Sequence, residues 1–256
     1  MVVAIIQARM GSSRLPNKVM REVLGKPLIF YLLERVKQAK KIDNIILATT
    51  TNCKDDVLAT YVDSLEYDVY RGSEDDVLSR YYEAFTSIKG NYDKESLIVR
   101  ITGDCPLIEP NLIDKVVGTI QSKKVDYVNL SPDFAEGLDV EVFTFPLLKK
   151  AYTEAKLESE REHVALFFHN NSYLFKMYEI RNTSNDSNYR ITVDEPEDFI
   201  VVRSIIEFFV NNDIPLDFAN IKKYLDNHKD ALRKNSKIIR NDGLVKSLEA
   251  EKNGNI

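Results

Sequence analysis

The sequence predicts an α/β protein with a mainly parallel, mixed sheet that helices cover on both faces. Three short apolar runs, at residues 2–6, 44–49 and 97–101, are each long enough for one buried strand. Segments with apolar residues at helical spacing separate the runs, as at residues 28–36. Parallel strands need long crossover connections, which are usually helices, so this alternation favours a parallel sheet.

The middle of the chain departs from this alternation. Residues 125–128 and 138–143 follow each other closely as predicted strands, so we expect an antiparallel insertion at about residues 125–180. Such an insertion can shape a ligand pocket and contribute a dimer contact. We place an α/β domain at residues 1–225 and a helical tail at residues 226–256.

The composition is ordinary for a soluble globular protein, with 44% hydrophobic and 29% charged residues among 256. No apolar run reaches the roughly 18 residues that span a bilayer, and Met1 leads directly into a strand rather than into a signal segment. Cys53 and Cys105 are too few to staple a domain of this size, so we expect reduced thiols and a cytoplasmic location. The net charge of −5 argues against a general nucleic-acid binder.

The loop after the first strand combines small residues with fixed cations. Gly11 and Ser12 let the backbone approach a bulky anion, so that successive N–H groups can surround it. Arg9 and Arg14 offer planar forks to phosphate oxygens, and Lys18 offers a point charge. The loop matches neither the Walker A pattern nor G-x-G-x-x-G, and a surface turn with solvated cations would share its composition. We predict that it binds a triphosphate.

Hydroxyl and amide side chains follow the second predicted strand. Thr49, Thr50, Thr51 and Asn52 lie where this strand ends, which is where open α/β sheets bind ligands. These side chains can read a base edge or a ribose. They can also cap the helix that follows, and the two roles do not exclude each other.

Two aspartates also follow predicted strands. Asp104 comes after residues 97–101, and Asp194 ends an apolar run at residues 189–194. Either aspartate can simply stabilise its own turn. Because parallel strands bring their carboxyl ends to one edge of a sheet, we instead predict that both carboxylates share one Mg²⁺ site. Without the metal the two carboxylates should repel each other, so removing one charge should raise the stability.

Polar residues in the insertion are candidates for binding an acceptor. Asp139 and Glu141 alternate with apolar residues, so we expect them to share one strand face, either solvated or in contact with sugar hydroxyls. His163 lies on a charged predicted helix and can be a general base, a sugar contact or a structural histidine. His169 and His228 have no metal-ligand spacing with it.

The first loop also carries a family resemblance. Its sequence is Gln7-Ala-Arg-Met-Gly-Ser-Ser-Arg-Leu-Pro-Asn-Lys18, which closely resembles the nucleotide-binding loop of the cytidylyltransferases that activate acidic sugars, the sialic acid and Kdo enzymes. It is most similar to the branch named after the spore coat polysaccharide biosynthesis protein F. The resemblance covers nearly the whole chain, including residues 71–73, 100–106, 137–141, 161–163, 192–198 and 239–248.

The resemblance implies a nucleotide-diphospho-sugar transferase fold, which is a Rossmann-like three-layer sandwich, and usually a homodimer. It also implies a Mg²⁺-dependent enzyme that transfers CMP from CTP to a sugar or sugar phosphate in surface polysaccharide biosynthesis. Two departures concern the base and the acceptor. The loop begins Gln-Ala-Arg where sialic acid enzymes have Pro-Ala-Arg, and residues 48–51 are Ala-Thr-Thr-Thr where Kdo enzymes have Ala-Thr-Asp.

The residues and the resemblance together define a candidate site. The expected catalytic residues are Arg9, Lys18 and Asp104. The expected nucleotide-binding residues are Gln7, Ala8, Arg9, Gly11, Ser12, Arg14, Lys18, Thr49, Thr50, Arg71, Arg100 and Gly103. The expected acceptor-binding residues are Asp139, Glu141, His163 and Arg190, and the expected metal ligands are Asp104 and Asp194.

The expected reaction is an in-line attack by a sugar hydroxyl or phosphate on the α-phosphorus of the triphosphate, with release of pyrophosphate. Such a transfer needs positioning and charge neutralisation rather than an enzyme nucleophile. The alternative is a glycosyltransferase that uses a nucleotide-sugar donor on the same fold. A third hypothesis, a silent binding subunit, is disfavoured because the loop cations and both aspartates are present.

Overall fold

The structure is a computed structural model that describes residues 1–89, 92–240, 242–252 and 254. The strands in these residues are β1 (Val2–Gln7), β2 (Glu22–Val23), β3 (Lys26–Pro27), β4 (Asn44–Thr50), β5 (Asp68–Gly72), β6 (Leu97–Thr102), β7 (Tyr127–Leu130), β8 (Glu141–Thr144) and β9 (Met177–Ile180). The helices are α1 (Leu28–Val36), α2 (Asp56–Ser64), α3 (Val77–Ser87), α4 (Pro110–Lys123), α5 (Phe145–Glu154), α6 (Glu158–Glu162), α7 (Ala165–Asn170), α8 (Pro196–Asn211), α9 (Phe218–Asn227), α10 (Lys229–Lys234) and α11 (Asp242–Lys252).

Seven strands form one mixed sheet in the order β5-β4-β1-β6-β8-β7-β9, and β2 and β3 form a separate antiparallel hairpin. The strands β5, β4, β1 and β6 are mutually parallel. In the other half, β8 runs antiparallel to both β6 and β7, and β7 pairs in parallel with β9. The prediction of a mainly parallel, mixed α/β sheet is confirmed.

Helices cover both faces of the sheet and complete three layers. Along β1, Ala4 and Ile6 face one core together with α1, α4 and α8. Val3 and Ile5 face a second core together with α3, α5 and α7. A strand that buries side chains on both faces has no polar face, which explains why its apolar run is uninterrupted.

The insertion contains antiparallel strands, but its elements are shorter than expected. β8 begins at Glu141, so Asp139 precedes the strand and does not share a strand face with Glu141. Residues 172–180 form a single 3-10 turn at Ser172–Leu174 followed by β9. The alternation at residues 138–143 predicted too long a strand, because Leu138 and Val140 are buried without pairing in the sheet while Asp139 is exposed.

Residues 189–194 are not a strand, contrary to the prediction. An isolated bridge pairs Arg190 with Glu136, and the N–H of Val193 donates to the carbonyl of Asp104 at 2.8 Å. The apolar side chains of this run are buried in the first core, which explains the pattern without a place in the sheet. Gly137 has a φ of +103°, and a Cβ there would lie 2.6 Å from the nitrogen of Thr192. Glycine therefore allows this close approach.

The C-terminal part packs onto the domain. Ile221 and Leu225 of α9 are buried in the first core, α10 packs on α8, and α11 packs on α6. The domain boundary at residue 225 stays a prediction. Within the part of the chain that the structure describes, every helix is too short or too polar to cross a membrane.

Candidate active site

Residues 8–18, the cradle loop, are fixed at the edge of the sheet through their backbone. The N–H of Met10 donates to Asp55 Oδ1 at 2.7 Å, and the Met10 carbonyl accepts from Ser12 and Asn17 at 2.9 and 3.1 Å. Asn17 has a φ of 59°, a left-handed conformation that asparagine tolerates better than most residues. These bonds hold the turn that contains Gly11 beside the segment that follows β4.

The two arginines of the cradle loop contact carboxylates. Arg9 Nη1 lies 3.0 Å from Glu74 Oε1, on the loop after β5. The guanidinium of Arg14 lies 3.0 Å from Asp194 and 3.4 Å from Glu195. The loop therefore presents its charges along the edge of the sheet, from β5 to the segment that carries Asp194.

Lys18 contacts both aspartates that were predicted to form a metal site. Its ammonium lies 3.2 Å from Asp104 Oδ2 and 2.8 Å from Asp194 Oδ1. Asp194 reaches this position without a strand, because the Thr192 hydroxyl and the Val193 N–H both donate to the Asp104 carbonyl. We call Lys18, Asp104 and Asp194 the junction. A shared metal ion stays a prediction.

The prediction that the two carboxylates repel each other was wrong. Burial disfavours the charge of Asp104, but the Lys18 ammonium together with hydrogen bonds from Thr102 and Cys105 outweighs burial and lowers the pKa of Asp104 to about 2. Burial likewise opposes the charge of Lys18, but Asp104 and Asp194 raise its pKa. Lys18 lies between the two carboxylates, and Arg14 and Arg190 also pair with Asp194, so the ionised form of Asp104 is stabilised.

The side chains of Thr49 and Thr50 at the end of β4 are buried, and their contact with a nucleotide stays a prediction. Thr49 and Thr50 are 0% and 1% exposed, and the Thr50 hydroxyl donates to Asp55. The guanidinium of Arg71 donates to the carbonyls of Thr50 and Asn52, both at 2.9 Å. Arg71 therefore shapes this end of β4, where the side chain of Asn52 remains partly exposed.

Gly103 lets β6 approach the cradle loop. Its N–H donates to the Gln7 carbonyl at 2.8 Å, and a Cβ at this position would lie 2.6 Å from the Cβ of Ala8. Ala8 and Gly103 thus act through close packing. In the described residues, Gln7 Oε1 is one of several buried side-chain atoms without a hydrogen-bond partner in the protein.

A cavity of about 490 Å³ opens beside the junction, over the mixed half of the sheet. Asp139, Glu141 and His163, which were predicted to bind the acceptor, line it. Arg100, which was expected to bind the nucleotide, lies in this cavity instead. Asp104 is part of the same lining, so the cavity is continuous with the junction.

A charge pair in the cavity fixes the mixed half of the sheet. Arg100 and Glu141 are register partners on β6 and β8 and form an ion pair, and the Tyr127 hydroxyl donates to Glu141. Burial disfavours the charge of Glu141, but Arg100 lowers its pKa, so it is ionised at neutral pH. Burial and the Glu141 carboxylate raise the pKa of Tyr127 well above its ordinary value. The network presents a rigid polar surface to a ligand.

His163 reaches the cavity from the end of α6. Its Nε2 lies 3.0 Å from the hydroxyl of Ser247 on α11. Burial is the main reason that the pKa of His163 is lowered, so the imidazole is neutral at neutral pH. A neutral imidazole can accept a proton or a hydrogen bond, and the predicted roles of base and sugar contact both stay open.

Arg190 does not line the cavity, and its role in acceptor binding stays a prediction. It is 6% exposed, donates twice to Asp198 at 2.8 and 2.9 Å, and also pairs with Glu136. Asp198 in turn accepts from the N–H of Asp194 at 3.0 Å. Arg190 therefore supports the segment that carries Asp194, and carboxylates already occupy its donors.

Comparisons with known proteins identify the family. A sequence profile described as cytidylyltransferase matches residues 3–238. This chain belongs to the cytidylyltransferase family. It is 38% identical over 239 residues to an uncharacterised protein of Methanocaldococcus jannaschii. This match covers 93% of this chain and 95% of the relative. It is 32% identical over 213 residues to the spore coat polysaccharide biosynthesis protein SpsF of Bacillus subtilis, which covers 80% of this chain and 86% of the relative.

A solved structure supports the same assignment. The fold is similar to that of a cytidylyltransferase from Leptospira borgpetersenii, with a TM-score of 0.83 and 31% identity over 93% of this chain and 99% of that chain. The predicted family, with its spore-coat branch, and the predicted fold are confirmed.

In this cytidylyltransferase the C-terminal segment supplies cavity residues that the sequence did not predict. Arg240 Nη2 lies 2.8 Å from Asp139 Oδ1, and Nη1 donates to two carbonyls after β7 at 2.9 Å. Asp242, Gly243 and Leu244 at the start of α11 line the cavity. The resemblance at residues 239–248 pointed to this stretch, but only the fold places it against the cavity.

The donor set at the junction of this cytidylyltransferase fits a magnesium ion that phosphate oxygens complete. Mg²⁺ commonly binds one or two carboxylates together with substrate phosphates, which Asp104 and Asp194 can provide. In the described ranges, no three or more His, Cys, Asp or Glu side chains are grouped so that they could hold a metal. A metal here would therefore depend on the nucleotide, and Lys18 would release at least one carboxylate.

Proposed function

We propose that this cytidylyltransferase catalyses Mg²⁺-dependent transfer of CMP from CTP to a hydroxyl or phosphate group of a sugar, with release of pyrophosphate. The observation that carries this proposal is the junction, where Lys18 of the cradle loop meets Asp104 in the cavity lining. A nucleotide on the loop and an acceptor in the cavity would meet there. In-line displacement requires the attacking oxygen to lie next to the α-phosphorus.

The nucleotide side supplies charge neutralisation. Arg9, Arg14 and Lys18 follow one another along the cradle loop, so they can contact successive phosphates of one chain. Their positive charges stabilise the negative charge that develops on the leaving pyrophosphate. Asp104 and Asp194 would hold the Mg²⁺ ion, which would supply further neutralisation of phosphate charge.

The cavity suits a polyhydroxylated acceptor. Its volume of about 490 Å³ lies within the usual range of small-molecule sites. Glu141, Asn129 and Thr102 place hydrogen-bonding groups along it, and the neutral His163 adds an acceptor. The directional bonds of such groups match the hydroxyls of a sugar better than an apolar ligand.

We extend the proposal to polysaccharide biosynthesis in the cytoplasm by a homodimer. The name of the Bacillus subtilis relative supports the pathway. The mixed half of the sheet ends at β9, near which Tyr173 and Tyr178 are 81% and 38% exposed. An edge strand with exposed aromatic residues supports packing against a second copy.

Pyrophosphate release tests the reaction. CTP, UTP, ATP and GTP are each incubated with Kdo, N-acetylneuraminate and hexose 1-phosphates, with Mg²⁺ or with EDTA. We expect release that requires a cytidine triphosphate, an acceptor and the metal. A clear purine preference would contradict CTP as the donor. Free nucleoside diphosphate from a nucleotide sugar would favour the glycosyltransferase instead, and failure to bind any nucleotide would favour a silent subunit.

A further inference from the structure

The carboxylate of Glu74 occupies part of the surface that the proposed function assigns to a phosphate. Glu74 lies in the loop between β5 and α3, and its Oε1 is 3.0 Å from Arg9 Nη1. Its Oε2 accepts from Asn52 Nδ2 at 3.2 Å. The same Oε1 lies only 3.3 Å from the position that a Cβ on Gly11 would take. An anion of the protein itself therefore sits against the small residue and the cation of the cradle loop.

The backbone that carries Glu74 is fixed, so its side chain is the part that can move. Arg80 is 1% exposed and donates to the carbonyl of Ser73 at 2.5 Å and to that of Glu74 at 3.4 Å. Asp76 caps α3 by accepting from the N–H of Ser79 at 2.9 Å. The side chain of Glu74 is 38% exposed, which leaves it room to rotate away from Arg9.

We propose that Glu74 is an internal counter-anion of the cradle loop, which a phosphate chain displaces from Arg9 and which returns to Arg9 when pyrophosphate leaves. The inference rests on the proposed function and adds a residue that sets the affinity of its nucleotide site. A carboxylate and a phosphate on one guanidinium repel each other. A phosphate therefore contacts Arg9 only when the side chain of Glu74 rotates away.

The competition has a defined thermodynamic signature. Glu74 competes for the Arg9 guanidinium and does not contact the base. It therefore lowers the affinity of every ligand whose phosphates contact Arg9 by the same factor. CTP, UTP and pyrophosphate should all bind more tightly without it, and the ratio of CTP to UTP affinity should not change. In turnover, stronger retention of pyrophosphate would appear as stronger product inhibition.

The test measures the binding of CTP, UTP and inorganic pyrophosphate by calorimetry to the full chain and to Glu74→Gln and Glu74→Ala. We expect each ligand to bind about three- to fivefold more tightly to both variants, which corresponds to the upper part of the range of a partly exposed ion pair. Asp75→Asn is the matched control, because Asp75 is an exposed acid in the same loop. Its effect should stay below about twofold, since solvent and salt screen it.

A second background tests whether the effect passes through Arg9. In Arg9→Ala, adding Glu74→Gln should change pyrophosphate affinity little, because the contested cation is gone. Melting temperatures confirm that each variant is folded. Unchanged pyrophosphate affinity in folded Glu74→Gln overturns the inference, while CTP binding by the unmodified chain leaves the proposed function standing. A changed CTP-to-UTP ratio would show that Glu74 reads the base and also overturns it, and a chain that binds no CTP would overturn both.

Discussion

The edge of the sheet has two halves: one carries the cradle loop, here called the nucleotide half, and the other carries the cavity, here called the cavity half. The two halves are built differently. In the nucleotide half, charges stand on one short loop and pair loosely, so that Arg9 and Glu74 are 41% and 38% exposed. In the cavity half, side chains come from segments far apart in the chain, and Arg100 and Glu141 are only 19% and 17% exposed. In a partly exposed pair, the arginine can exchange its carboxylate partner for a phosphate. A buried pair instead fixes the positions of the strands that carry it. Substitutions in the two halves should therefore have different consequences.

The largest effect is expected at the junction, where the halves meet. Asp104→Asn and Asp194→Asn should each lower turnover by roughly a thousandfold, because each removes a proposed metal ligand and a partner of Lys18. The double variant should be little worse, because residues that act as a unit are not additive. Turnover against Mg²⁺ concentration in the three variants tests this. Near-normal activity of either single variant at ordinary Mg²⁺ would contradict a shared site.

Stability should distinguish the two kinds of ion pair. Glu141→Gln leaves Arg100 buried without its counter-charge and should lower the free energy of unfolding by about 3 kcal/mol. Arg9→Ala breaks a partly exposed pair and should lower it by less than about 1 kcal/mol. Urea unfolding of both variants measures the difference. Equal losses would show that the two halves do not differ in this way.

The acid stability of the protein should report the charge of Asp104. Its pKa of about 2 lies below its ordinary value of 3.8, so the unfolded chain binds the proton more tightly. The resulting stabilisation, about 2 kcal/mol, is complete above roughly pH 4 and is lost as the pH falls toward 2. Asp104→Asn should therefore be less stable at neutral pH, and the difference should shrink below pH 4. Unfolding by urea across this range checks it, and a variant that is more stable at neutral pH would restore the idea of repulsion.

Nucleotide affinity should respond to the remaining cations of the cradle loop. Arg14→Ala and Lys18→Ala each remove a proposed charge-assisted phosphate contact and should weaken CTP binding by about tenfold. Calorimetric titration of both variants measures this, with Arg203→Ala as a control, because Arg203 is exposed on α8 and pairs with Glu207. Unchanged CTP affinity in both folded variants would place the phosphates elsewhere.

The smallest effect is expected at the C-terminal wall of the cavity. Leu244→Trp narrows the cavity and should raise the KM of the acceptor by about fivefold while the KM of CTP stays the same. Val245→Trp is the control, because Val245 is adjacent but 45% exposed and outside the lining. Steady-state kinetics with an acceptor identified in the pyrophosphate assay measures both KM values in the two variants. Equal effects of both variants would mean that the wall does not select the acceptor.

At several predicted site residues, packing rather than residue type decides what the side chain contacts. Thr49, Thr50 and Arg190 have the right chemistry for a ligand, but packing directs their side chains to Asp55, Asp198 or the core. Residues 189–194 have the composition of a strand but bury their apolar side chains outside the sheet. Residue type indicates what a side chain can bind, whereas burial decides which of the available partners it meets.

The sequence by itself determined the features that lie within short windows. These are the buried strands at residues 2–7 and 44–50, the cradle loop with its cations, and the family that its motif indicates. Only the tertiary structure decided that Lys18 balances Asp104 and Asp194, and that α11 closes the cavity. Periodicity and loop composition are local properties of the chain. The direction of a side chain, its counter-charge and its burial depend on elements that meet only after folding, so no window of the sequence contains them.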